Sequence, residues 1–130
     1  MWKTVLIVGI GGFLGANLRY WLGGWLAGRI GVLFPIETML INLMGSFGLG
    51  FFMVLALHFA WSPEWRQLIA IGFLGSFTTY STYEYESFRL IQEGLWDKAC
   101  WNLFGSLILG LLAVMLGVWT ARGLIGGTEP

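Results

Sequence analysis

The sequence predicts an all-α membrane protein, a single domain over 1–130 with four transmembrane helices, the third of them broken mid-membrane. Three observations lead there. Of 130 residues, 57% are hydrophobic and 11% charged, whereas a soluble domain carries about 25% charged residues. Apolar windows cover about 4–28, 38–60, 66–91 and 99–120, and each suits a hydrocarbon core roughly 30 Å thick, which takes about 20 helical residues. Inside the third window, the uncharged run Gly72-Phe73-Leu74-Gly75-Ser76-Phe77-Thr78-Thr79-Tyr80-Ser81-Thr82-Tyr83 crowds hydroxyls and glycines together. Hydrocarbon tolerates irregular backbone only where it faces protein or water. A broken helix lining a polar site follows, and that points to transport.

Each element has its own justification. The first window holds Gly9-Ile10-Gly11-Gly12-Phe13-Leu14-Gly15. A dinucleotide fingerprint fails here, because position 14 is Leu, no strand precedes it and no acid follows at the right distance. Gly11 and Gly15 instead form a small-xxx-small packing face. No cleavable signal peptide is expected, since the window is long and lacks a small-x-small exit before Arg19. Gly28 to Pro35 make the first connector. The second window has only His58, close to its end, and carries Gly45, Gly48 and Gly50 for close packing. In Trp61-Ser62-Pro63-Glu64, Ser62 is placed to cap the third helix, with Pro63 in its first turn. Gly94 ends that helix, and the fourth window, with Gly105 and Gly110, has no charged residue. Trp2, Trp21, Trp25, Trp61, Trp65, Trp96, Trp101 and Trp119 all fall near helix ends, as interfacial aromatic belts require.

Charge sets the orientation, or fails to. With four spans, Lys3, Arg66 and Arg122 share one side, and Arg29, Arg89 and Lys98 the other, with Arg19 nearer the second group. Orientation normally follows a Lys/Arg excess on the cytoplasmic side, and this chain has almost none. Insertion both ways is expected, and with it an antiparallel dual-topology homodimer, which supplies the inverted symmetry that other transporters obtain from internal repeats. The alternative is a single orientation set by a partner.

Catalytic chemistry finds no support. Cys100 and His58 are each the only residue of their type, so neither a disulfide framework nor a thiolate metal site is expected. No Ser/His/Asp or paired-carboxylate set falls on one face, so no enzyme is predicted. Seven basic and seven acidic residues balance, and membrane lipid rather than nucleic acid is the expected surrounding partner.

The motifs then converge. Gly11-Gly12-x-x-Gly15-Ala16-x-x-Arg19-Tyr20, Thr38-x-x-x-Asn42-x-x-Gly45, and Gly72-Phe73-x-Gly75 followed by Thr78-Thr79-Tyr80-Ser81-Thr82-Tyr83 resemble those of the CrcB/Fluc fluoride channels over nearly the whole chain. The resemblance implies a multi-pass protein of the cell (inner) membrane that exports fluoride to relieve its toxicity. It also implies antiparallel homodimers with two fluoride pores and a structural, untransported Na⁺ at the centre. A small dual-topology multidrug-type exporter matches in size, but it needs a membrane-embedded acid that the first helix lacks. A small subunit of a membrane complex fits the composition but not the hydroxyl-rich break.

Residue roles follow from that resemblance. Asn42, Tyr80, Tyr83 and Ser106 fall at fluoride-pore positions, where amide and hydroxyl donors and the positive edge of an aromatic ring replace the water a small anion loses. For Asn42, the residues alone allow an interhelical hydrogen bond equally well; the motif favours the pore. The backbone carbonyls of Gly75 and Thr78 match the family's sodium ligands, whereas the residues alone favour a kink satisfied by Ser and Thr side chains. Arg19, Thr38 and Glu86 match vestibule positions, with Glu86 balancing Arg19, although Arg19 can equally snorkel outward. Two departures stand out: the family has Phe where Tyr80 and Tyr83 occur, and a second serine of some relatives is Gly110 here.

Overall fold

The computed structural model describes residues 1–30 and 34–126, and all its regular structure is helical. Helix α1 runs Trp2–Ile30 and α2 Ile36–His58. A third, divided segment comprises α3 over 63–77 and α4 over Tyr80–Gln92. Helix α5, Trp96–Leu124, completes the bundle. Positions 31–33 of the first connector and 127–130 of the single domain lie outside the described residues.

Among the described residues, α1, α2 and α5 are each long and apolar enough to cross a membrane. The third segment does not qualify as one uninterrupted apolar helix. Its two halves are separated at Thr78 and Thr79, and α4 adds Glu84, Glu86 and Arg89 in only 13 residues. The other three helices overrun the expected windows by a few residues at most ends, carrying interfacial groups such as Trp2 and Arg29 inside the helix.

Short connectors turn the chain by recognisable chemistry. After α2, the Trp61 N–H reaches back to the Ala56 carbonyl while Ala60 takes φ 49°, a Schellman-type ending. After α4, Gly94 at φ 74° lets the Leu95 N–H reach the Leu90 carbonyl, which glycine permits without a Cβ penalty. Ser62 does occupy the N-cap position before α3, with Pro63 following, but its side chain makes no capping bond. Lys3 pairs instead with Glu64 at 2.9 Å. That pair ties the start of α1 to the start of α3, so both begin on the same side. Lys3 also holds the exposed Glu64 carboxyl down to about 2.

Packing depends on small residues. Helix α1 buries only Gly11 and Gly15, and both lie against α3: Gly11 under the Leu68 carbonyl and Gly72, Gly15 under the Phe73 carbonyl. Helix α2 sits centrally. Its Gly50 meets the Val114 carbonyl of α5, and Gly117 of α5 meets the Phe47 carbonyl in return. Backbones this close gain dispersion contacts that larger side chains would prevent. The outward faces carry Leu6, Phe13, Trp21, Ile108 and Leu116, as suits lipid.

The glycine contacts give a direct test. Gly15→Ala would force a Cβ into the Phe73 carbonyl and should cost about 1–3 kcal/mol of overpacking. Gly24→Ala, where an added Cβ meets nothing within 4 Å, should be neutral or slightly stabilising. Thermal unfolding in detergent reads both, and equal melting temperatures would show that the close approach constrains nothing.

Candidate functional site: an interrupted helix between two cavities

The interruption is two residues long. Thr78 (φ −83°, ψ 159°) and Thr79 (φ −147°, ψ 119°) are extended. A continuous helix would send the Thr79 N–H to the Gly75 carbonyl and the Thr82 N–H to the Thr78 carbonyl. Here the Thr79 N–H goes to Asn42 Oδ1 at 2.8 Å, and the Thr82 N–H goes to Thr79 Oγ1 at 3.3 Å. Both carbonyls thereby lose their helical donors. Asn42 completes a two-point clasp by donating Nδ2 to the Thr79 carbonyl at 2.9 Å. Thr79 also caps α4, as its side-chain acceptor role at the N-cap shows.

The motifs acquire a physical meaning from this geometry. Thr38, Asn42 and Gly45 fall at i, i+4 and i+7, one face of α2. Along that face, Thr38 Oγ1 donates to Glu86 at 2.7 Å, Asn42 clasps Thr79, and Gly45 leaves room for the Thr78 methyl group. Gly11, Gly15 and Arg19 form the matching face of α1. Arg19 Nη1 donates to the Thr78 carbonyl at 3.3 Å, so the guanidinium is drawn toward the interruption rather than only outward. Two helices therefore present one stripe each to a single stretch of irregular backbone.

Two cavities flank that stretch. One, of about 630 Å³, is bordered by Asn42, Gly75, Thr78, Tyr80, Tyr83 and Ser106. The other, of about 330 Å³, is bordered by Arg19, Thr38 and Glu37. Thr79 borders both. The structure thus brings the expected pore and carbonyl residues to one cavity and Arg19 and Thr38 to the other. Glu86 joins the second group through its Thr38 bond. Among the described residues, Ser106 Oγ and Glu86 Oε2 are buried side-chain oxygens without a hydrogen-bond partner. Such orphans are rare and need an explanation.

The tyrosines occupy different surroundings. Their ring centroids are 5.7 Å apart and tilted by 44°. Tyr80 is 75% exposed. The Tyr83 hydroxyl donates to the Leu103 carbonyl of α5 at 2.8 Å, so it is turned away from the cavity centre. Two residues escaped the sequence reading: Ser87 and Asn102, which bond to each other at 2.9 Å in the buried interior. An amide inside an otherwise apolar window was the available signal.

A multi-pass helical bundle whose interrupted helix separates two cavities is an arrangement suited to a membrane transport protein. Comparison with known proteins narrows this further. A family model described as "CrcB-like protein, Camphor Resistance (CrcB)" matches residues 6–118, and the chain belongs to that family. A protein of Thermus thermophilus named fluoride-specific ion channel FluC is 46% identical over 124 residues, covering 95% of this chain and 98% of the relative. Fluoride-specific ion channel FluC 1 of Methanosarcina acetivorans is 43% identical over 122 residues, covering 93% and 92%. A FluC protein of Acidobacterium capsulatum is 46% identical over 121 residues, covering 92% and 97%.

The Asn42 clasp is testable on its own. Asn42→Asp keeps an acceptor for the Thr79 N–H but turns a second oxygen toward the Thr79 carbonyl. At neutral pH the change should cost about 1–3 kcal/mol, the penalty for a buried group left unsatisfied. Protonation of the new carboxyl restores a donor, so the loss should shrink as pH falls. Thermal unfolding in detergent at two pH values measures this, and a wild-type melting temperature at neutral pH would refute the clasp.

Proposed function

We propose that this chain is a fluoride channel of the cell membrane, exporting fluoride and so relieving its toxicity. The observation that carries the proposal is the 630 Å³ cavity on which Asn42, Tyr80, Tyr83 and Ser106 converge, with the Ser106 hydroxyl buried and unpartnered. Fluoride is small and strongly hydrated, so it enters only where fixed dipoles replace its water. Asn42 has a second amide hydrogen beyond the one given to Thr79, Ser106 has a free hydroxyl, and the tyrosine rings have electropositive edges. Arg19 and Thr38, on the other cavity, form a vestibule in which the guanidinium attracts the anion and Glu86 moderates that attraction. The names of the relatives support the same reading.

The working unit in this proposal is an antiparallel homodimer, with the helix break lying mid-membrane. Support comes from the near-even Lys/Arg distribution and from a site cavity bordered by exposed Tyr80 and Leu107. Labelling of a cysteine placed at one terminus should find it on both sides of the membrane across the population. Labelling confined to one side would reject dual insertion.

A structural sodium ion belongs to the same proposal. The carbonyls of Gly75 and Thr78, deprived of their helical donors and bordering the cavity, suit a hard cation that takes oxygen ligands. A carbonyl has two lone pairs, so Arg19 occupies only one on Thr78. When bound, the ion supplies a fixed positive charge holding the breaks of two copies together. Replacing Na⁺ by a larger monovalent cation should weaken the dimer on size-exclusion chromatography as well as lower flux. A Cβ at Gly75 meets only the Ala70 carbonyl, at 3.6 Å, within this chain, so a loss of dimer or flux in Gly75→Ala reads the contact with the second copy rather than the fold of one. Full dimer stability and flux in verified absence of sodium would contradict the assignment.

Fluoride-electrode efflux from proteoliposomes tests the function, and its absence from the wild-type protein would sink the reading. Tyr80→Phe and Tyr83→Phe should keep transport within a modest factor, because the ring quadrupole remains. Tyr80→Ile and Tyr83→Ile should reduce it strongly. If the phenylalanine variants lose transport while the isoleucine variants keep it, ring-edge coordination is wrong.

A further inference from the structure

We infer that Asn102 and Ser87 are positioning residues that fix Tyr83 opposite Ser106 and thereby set the selectivity for fluoride over larger halides. The inference rests on the channel reading above. Asn102 and Ser87 are the largest fully buried side chains among the described residues, at 1% and 2% exposure. Neither borders the site cavity. They are buried polar groups next to the site that the permeation chemistry does not use.

The bonds converge on one residue. Ser87 Oγ donates to the Tyr83 carbonyl at 2.8 Å. Asn102 Nδ2 donates to Ser87 Oγ at 2.9 Å and lies 3.5 Å from the same Tyr83 carbonyl. At its other end, Tyr83 donates its hydroxyl to the Leu103 carbonyl at 2.8 Å. Tyr83 is therefore held both at its backbone and at the tip of its ring, and both anchors reach Asn102 or Leu103 on α5. Those two residues lie in a wide-turn stretch, Trp101–Gly105, with i→i+5 bonding. Such turns rotate successive carbonyls outward and are frequent at functional sites.

Geometry links this lock to the cavity. Ser106 follows Asn102 by four residues and so lies on the same face of α5. The Asn102–Ser87 bond joins that face to α4, which carries Tyr83. The placement of the Tyr83 ring against the Ser106 face is thus set from outside the cavity, by the Asn102–Ser87 bond at its backbone and the Leu103 bond at its hydroxyl. A chloride ion differs from fluoride mainly in size and in how tightly it holds water, so a fixed span discriminates and a loose one does not. Selectivity filters depend in this way on cavity size and on the field of the donors lining it.

The test uses the purified full-length protein in planar bilayers with fluoride on one side and chloride on the other. The reversal potential gives the chloride-to-fluoride permeability ratio, which does not depend on how many channels are folded or open. Ser87→Ala and Asn102→Leu should each raise that ratio by about tenfold, the scale of one lost buried hydrogen bond. The double variant should do less than the product of the two single changes, since the Asn102–Ser87 bond is lost in both. Ser87→Thr, which keeps the hydroxyl, should restore the wild-type ratio. If Asn102→Leu does not fold, Ser87→Ala decides alone, because it removes a single oxygen. A variant that conducts with the wild-type ratio overturns the lock and leaves the channel reading standing. A wild-type protein that carries no fluoride current overturns the channel reading and, with it, this inference.

Discussion

A packed helical bundle offers irregular backbone few groups to bond with, and that single constraint organises the molecule around Thr78 and Thr79. A buried peptide group left unsatisfied costs about 1–3 kcal/mol, so two extended residues inside a helical bundle need dedicated partners. They have them. Asn42 supplies both a donor and an acceptor to Thr79, Arg19 supplies a donor to Thr78, and Thr79 supplies its own hydroxyl to the next helix. Asn42 and the Thr79 hydroxyl take the two N–H groups that a continuous helix would give to the Gly75 and Thr78 carbonyls, and so leave those carbonyls without their helical donors.

The glycines are the second consequence of the same constraint. Side-chain donors reach irregular backbone only if their helices come close, and helices come close only where the contact residues are small. Gly11 and Gly15 bring α1 onto α3 one and two turns before Arg19 meets Thr78. Gly45 seats the Thr78 methyl group one turn beyond Asn42. A bulky residue at any of these positions would move the donor away from its target by more than a hydrogen bond tolerates. Packing and polar satisfaction are therefore one device, and the short motifs in α1 and α2 encode both halves of it.

This coupling also explains what could be read from the chain and what could not. Four apolar segments, aromatic belts and a hydroxyl-rich interruption leave strong local marks in the residues, and Asn42, Tyr80, Tyr83 and Ser106, expected at a pore, border the same cavity as Gly75 and Thr78, expected at a separate cation site. Asn42 was open between a packing bond and a pore donor, and the structure gives it the packing bond with one amide hydrogen to spare. Ser62 stands at the N-cap position as expected but makes no side-chain capping bond. Ser87 and Asn102 were missed because their pairing is tertiary: a serine bonding back to its own helix and an amide in a hydrophobic window look ordinary until α4 and α5 are set side by side. The wide turns at 66–74 and 101–105 have no signature in composition at all.

Tyr83 ties the interrupted segment to α5. A phenolic hydroxyl in a half-buried position costs about 1–3 kcal/mol if it is left without a partner. The Leu103 carbonyl supplies that partner at 2.8 Å while it also accepts the Ser106 N–H, because a carbonyl has two lone pairs. The hydroxyl is thus satisfied by the scaffold, and Tyr83 still borders the cavity. Tyr80 needs no such arrangement, because it stands largely exposed on the described chain. One tyrosine is satisfied by the backbone of a neighbouring helix and the other by its exposure, so both stand at the cavity without a buried, unsatisfied hydroxyl.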